Sequence, residues 1–286
     1  MIKISYSIPR KGDFDFKEIT SEVTIDFKPF DKEVIEPLKK KKPEDALRMI
    51  FNSHRLFVPP KEEVFEEARK IYGGRISTLF PHIVFGPTHD KPVAKYSTPD
   101  EVIKFKQCRH YNLALIFGDI YLERLWKRLI KNIPSNVVIS LFENSRLFES
   151  QLEKVKLGIK HLYNEDFISC IRVLHPLIEG TVRKFAQGAG IDTTVEIVNR
   201  KRRTGTFEEK TLGKLLNDSQ IKNLLDPDIH FYLLMQYTKK EGENVRNLDL
   251  HELMEESKYK VSLVLRIIFT LYLFYNAEVR MTSRNS

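Results

Sequence analysis

Residues 261–275 read VSLVLRIIFTLYLFY, an apolar run interrupted by Ser262, Arg266 and Thr270. A segment of this kind belongs either in a bilayer or in the middle of a protein core. It falls short of the roughly 20 apolar residues that a spanning helix needs, and its centre is polar. It is therefore expected to form a buried helix, with Leu263, Ile267, Leu271 and Phe274 inward and the remaining elements packed around it. No membrane association is expected of such a chain.

Composition supports a buried core. Hydrophobic residues make up 42% of the 286 positions and charged residues 30%, as in ordinary globular proteins. Lysine and arginine number 47 against 39 acids, a net charge of +8 that favours polyanions, with nucleic acid the commonest. Cys108 and Cys170, the two cysteines, lie far apart in apolar helical patterns. With no CxxC or Cys/His cluster, a structural zinc site is not expected, and the usage fits a reducing cytoplasm. No cofactor motif appears: GxGxxG, a Walker loop and GxSxG are all absent. His89-Asp90 has no third ligand nearby in sequence, so no metal is expected there.

The coarse reading is mainly all-α, with a few short strands at the N-terminus. Residues 1–6 and 22–27 alternate apolar and polar residues, which fits short strands or equally extended arms lying on helices. Helical patterns begin at Pro43 and Pro60, and the second ends at Gly73-Gly74. Residues 75–99 look like a proline-rich loop. Ser97-Thr98-Pro99-Asp100 then opens a long helix that reaches about residue 129, and Pro134 breaks the pattern. A boundary near 148 separates an N-terminal, mainly helical region (1–148) of unassigned role from a C-terminal helical bundle (149–286). In the second part, helices are expected over 149–163, from Phe167 to Gly188 across Pro176, over 211–216, 221–225 and 230–237, and from about 247 to 276. Residues 188–209 are expected to be a weakly structured excursion. The histidines at 161, 175 and 230 sit in apolar helical settings and read as structural.

The strongest chemical candidate is Arg246-Asn247-Leu248-Asp249-Leu250-His251. Arginine offers a permanently charged planar fork that fits phosphate, and histidine moves protons near neutral pH. Together they suffice, in principle, to cleave RNA without a metal. The 2′-hydroxyl attacks the adjacent phosphorus, arginine stabilises the developing charge, and histidine protonates the leaving 5′-oxygen. The spacing alone is weak, since residues five apart on a regular helix are about 140° from one face.

The context of that motif resembles the HEPN (higher eukaryotes and prokaryotes nucleotide-binding) superfamily. The match comprises Arg246-Asn247-x3-His251, the run His175-Pro176-Leu177-Ile178-Glu179 with Arg183, and Thr211-Leu212-Gly213-Lys214-Leu215-Leu216. It is similar to a little-characterised branch also present in a eukaryotic endoplasmic-reticulum-associated ribonuclease, and it spans roughly residues 150–275. That branch carries a small residue before the histidine and glycine after it, where this chain has Leu250 and Glu252.

The resemblance implies a metal-independent endoribonuclease acting on single-stranded RNA and leaving 2′,3′-cyclic phosphate ends. Arg246 and His251 would be catalytic, Asn247 would orient the site, and Glu179 and Arg183 would support it. A homodimer with facing motifs, a host-defence or toxin role, and an antitoxin or other regulatory partner are implied as well. The alternative reading is a non-catalytic module binding RNA or a protein. Arg200, Lys201, Arg202 and Arg203, four consecutive cations, add a candidate phosphate-tracking loop. Lys39 to Lys42 reads instead as a solvated run.

Overall fold

The computed structural model describes residues 2–6, 21–75, 78–85, 92–199, 204–245, 248 and 254–284. The chain is mainly all-α, with three two-stranded antiparallel sheets among the described residues. Strands β1 (Ile2–Tyr6) and β2 (Ser21–Ile25) pair from Ile2↔Ile25 to Tyr6↔Ser21, where the alternation placed strands. Three short elements follow: α1 (Lys28–Phe30), a π-turn (Asp31–Ile35) and α2 (Glu36–Lys39). Lys39, Lys40, Lys41 and Lys42 are exposed. Helix α3 (Pro43–Asn52) starts on proline and two acids, which suit the positive end of a helix, and α4 (Lys61–Tyr72) starts in the same style.

The proline-rich stretch is not merely a loop, because β3 (His82–Phe85) pairs with β4 (Pro92–Tyr96). Helix α5 (Pro99–Arg128) begins at a capping box in which Thr98 and Glu101 satisfy each other's backbone N–H groups. After α6 (Ser135–Ser140), α7 (Leu152–Tyr163) and α8 (Phe167–Gly188) form an antiparallel hairpin. Their close approach requires Gly158, since a Cβ there would overlap the Leu174 side chain. Pro176 lies inside α8 without ending it.

Two expectations need correction. The excursion after Gly188 is an ordered hairpin, β5 (Thr194–Asn199) with β6 (Thr204–Glu209), held by main-chain pairing. Phe207 is one of its exposed residues. Helices α9 (Leu212–Leu216), α10 (Ser219–Leu224) and α11 (Pro227–Tyr237) follow, each capped by a side chain: Thr211, Asp218 and Asp226. The final helix does not run from 247 to 276. Met254 and Glu255 are not helical, and a 3-10 turn at Glu256–Lys258 precedes α12 (Val261–Arg284).

Helix α12 is the hub, lying against α8, α5 and α3. Leu263, Ile267, Leu271 and Phe274 are all buried, as the apolar run demands. Stretch Val261–Glu278 is apolar and long enough to cross a membrane, but it is mostly enclosed by the other helices. Aromatic rings fix its position: Phe57 stacks on Phe269 at 4.2 Å, and Phe185 meets Phe274 edge-on at 5.3 Å. One continuous core includes residues from both sides of position 148, from Ile35 to Phe274. Cys108 and Cys170 are free and buried in it.

Candidate functional site

Arg246, Asn247 and His251 lie outside the described residues, as do Arg200, Lys201, Arg202 and Arg203, and also His89 and Asp90. Their surroundings are described in detail. Before the motif, Gly242 passes so close to the Met235 carbonyl that no Cβ could fit, and Asn244 takes a left-handed conformation (φ 49°). The N-terminal region grips this turn. Asn112 of α5 donates to the Glu241 carbonyl at 2.5 Å, and Tyr96 of β4 donates to the Glu241 carboxylate at 2.8 Å. Burial, and then that carboxylate, push the Tyr96 phenol above its usual range.

Both ends of the motif segment are tied down. The Lys258 ammonium donates to Glu243 at 3.2 Å, bridging residues on either side of the motif. Val245 and Met254 are buried, and Leu248 packs partly buried on the core, its N–H donating to the Asn244 carbonyl at 3.2 Å. The described ends of this segment are thus closed on each other, with Val245 and Met254 as apolar anchors.

Beneath it lies a polar centre that the sequence did not reveal. Arg266, only 3% exposed, donates to Asp119 at 2.8 Å, to the Phe57 carbonyl at 2.5 Å and to the Leu115 carbonyl at 2.7 Å. Burial opposes its charge, but Asp119 outweighs that, and the guanidinium is held above its ordinary pKa. Lys260 adds a second cation 3.5 Å from Asp119. Gly118 leaves room for the guanidinium, since a Cβ there would come within 3.0 Å of Nη2. Glu243 and Gln236 line the small depression above this pair, together with Ile116, Leu263, Asp119 and Arg266.

Glu179 and Arg183 are brought together on α8, at 3.1 Å, as the i, i+4 spacing implied. They line a pocket of about 360 Å³ with His175, Gly180, Glu209 and Leu212. His175, read as structural, is buried and stacks on Tyr237 at 5.8 Å, yet it also borders this pocket. His230 is buried, with Nε2 2.7 Å from the Leu216 carbonyl. Glu209 went unnoticed in the sequence because it sits on the unexpected strand β6.

Arg183 is fully committed. It reaches Glu209 at 2.9 Å, the Lys210 carbonyl at 2.8 Å and the Thr193 carbonyl at 3.4 Å. Two carboxylates and two carbonyls around one guanidinium leave little attraction for phosphate. The arrangement is a brace that fixes hairpin β5–β6 to α8. That hairpin's last pair, Asn199↔Thr204, flanks positions 200–203. Among the described residues, no group of three His, Cys, Asp or Glu side chains is placed to hold a metal.

No protein-family model, curated protein or solved structure matches this chain.

Proposed function

We propose that this chain is a metal-independent endoribonuclease of the HEPN type, cleaving single-stranded RNA by 2′-hydroxyl attack. The observation that carries the reading is the Arg246-Asn247-x3-His251 motif, set in a segment whose feet are closed by the Glu243–Lys258 ion pair. Arg246 binds the scissile phosphate and stabilises the charge that grows on it. His251 delivers the proton to the 5′-oxygen, and Asn247 orients the pair. Glu179 and Arg183 contribute indirectly, by bracing the hairpin from which Arg200, Lys201, Arg202 and Arg203 track the RNA backbone. The action belongs to the cytoplasm, in host defence or as a toxin, with a regulatory protein to restrain it. A homodimer supplies two Arg-His pairs to one cleft.

The test is to incubate purified protein with mixed RNA in EDTA and to analyse the ends. Cleavage with 2′,3′-cyclic or 3′-phosphate products, abolished in His251→Ala with RNA binding retained, supports the reading. Full activity in His251→Ala, or loss of activity on chelation, overturns it. The second reading, a non-catalytic module that binds RNA or a protein, is favoured by Leu250 and Glu252 beside the histidine. An acid there repels phosphate. RNA binding without cleavage at any pH decides for that reading.

A further inference from the structure

Helix α5 carries apolar residues on two faces. The inner face buries Val102, Phe105, Cys108, Leu115, Leu122 and Leu125. On the outer face Leu113 is 45% exposed, Ile116 46% and Phe117 39%. With Ile120, half-buried, they stand at i, i+3, i+4 and i+7, one continuous stripe. A stripe of this regularity on a surface helix is the signature of a helix that packs against another.

The charges at its ends show what fits. On the same face, Arg109 stands seven residues before Ile116 and Glu123 seven residues after it. At 1.5 Å per residue, each lies about 10.5 Å from Ile116 along the axis. Glu123 has no ion pair among the described residues, and Arg109 has none either, its guanidinium resting 5.9 Å from the Phe105 ring centre. A second α5, antiparallel and crossing at Ile116, places each Arg109 opposite Glu123 of the partner subunit. The match is self-complementary, as a two-fold contact requires.

We propose that a second copy of this chain docks on this stripe, giving a homodimer through antiparallel α5 helices with Ile116 on the two-fold axis. The contact has a consequence for the motif. Ile116 lines the same depression as Glu243, at the foot of the motif segment. The axis therefore runs beside Glu243, the described residue at the foot of that segment. The dimer itself does not rest on the ribonuclease reading, because the stripe and its charges stand whether or not RNA is cleaved.

Light scattering across a micromolar concentration series should give a dimer. Ile116→Asp should make it monomeric with the thermal midpoint of the dissociated wild type, since the side chain is exposed in one copy. Arg109→Glu should weaken the dimer about tenfold, and adding Glu123→Arg should restore it. Ile116→Cys should cross-link under mild oxidation, because a residue on the axis meets itself within disulfide reach, whereas Leu157→Cys, exposed on α7, should not. The native cysteines are buried and do not compete. A monomer at every concentration, or a dimer untouched by Ile116→Asp, overturns the proposal. So does an Ile116→Asp variant that melts below the wild type when both are compared at a dilution where the wild type is itself monomeric, which would mean that the stripe is covered by the chain's own residues. None of these outcomes depends on activity, so failure here and failure of the ribonuclease reading are told apart.

Discussion

Two arginines bind alike and live in opposite surroundings. Arg266 holds one carboxylate and two main-chain carbonyls, and Arg183 two carboxylates and two carbonyls, each tying separate elements together. Arg266 is sealed between α12, α5 and the turn before α4, in the centre of the core. Arg183 stands at the rim of an open pocket, beside a Glu209 side chain that is mostly in water. The same chemistry therefore serves two ends: in the first place it fixes the core, and in the second it steers an exposed hairpin. Solvent, not the contact pattern, separates them, because water screens and replaces what is lost at the rim and cannot do so inside.

The sharpest way to break this comparison is Arg266→Ala. It strands Asp119, the Phe57 carbonyl and the Leu115 carbonyl in the interior, with Lys260 as the carboxylate's remaining cation. A loss of about 3–5 kcal/mol is expected in chemical denaturation. A loss below about 1 kcal/mol would mean that water reaches the centre.

The second difference is titratable. Tyr232 and Tyr237 lie beside Arg266, and burial raises both phenols above the ordinary value of 10.0. A raised pKa means that the folded state holds the proton after the unfolded chain has lost it. Their contribution is therefore complete below pH 10 and is lost as pH rises above it. Denaturation midpoints should fall with pH in that range, and a Tyr237→Phe variant should fall less steeply. Equal slopes would count against this assignment.

At the rim the effects shrink. Arg183→Ala should cost about 1–2 kcal/mol, since several charge-assisted hydrogen bonds go but water replaces part of them. On the proposed function it should also weaken RNA binding through the loosened hairpin, without changing the cleavage products. Glu209→Gln is the smallest case, a change within about 0.5 kcal/mol, because its carboxylate is largely exposed. If Glu209→Gln destabilises as much as Arg183→Ala, the pocket is more enclosed than its exposure implies.

What the sequence revealed follows the same line between local and distant causes. The apolar run at 261–275, the alternation in the first strands and the Thr98 opening of α5 are local patterns, and each emerged as read. Hairpin β5–β6 was hidden because residues 204–209 (TGTFEE) alternate nothing apolar. The strand exists through its main-chain partners. The break before α12 was hidden for a different reason. Residues 254–260 (MEESKYK) contain neither proline nor glycine, and the stop comes from the Glu243–Lys258 tie and the docking of Met254. Arg266 read as a flaw in an apolar run because its partner, Asp119, lies 147 residues away. Of the candidate site, the Glu179–Arg183 pair was legible from its spacing. Its closure by Glu209 and Thr193 was not, since both contacts come from the hairpin that the pattern concealed.

The position of α12 in the chain bears on how the molecule is made. The helix that the others close upon is the last to be synthesised among the described elements. While it is still within the ribosome, the inner faces of α3, α5 and α8 have no partner, and Asp119 waits for its cation. Until α12 emerges, a growing chain of this design exposes the apolar faces that α12 later covers.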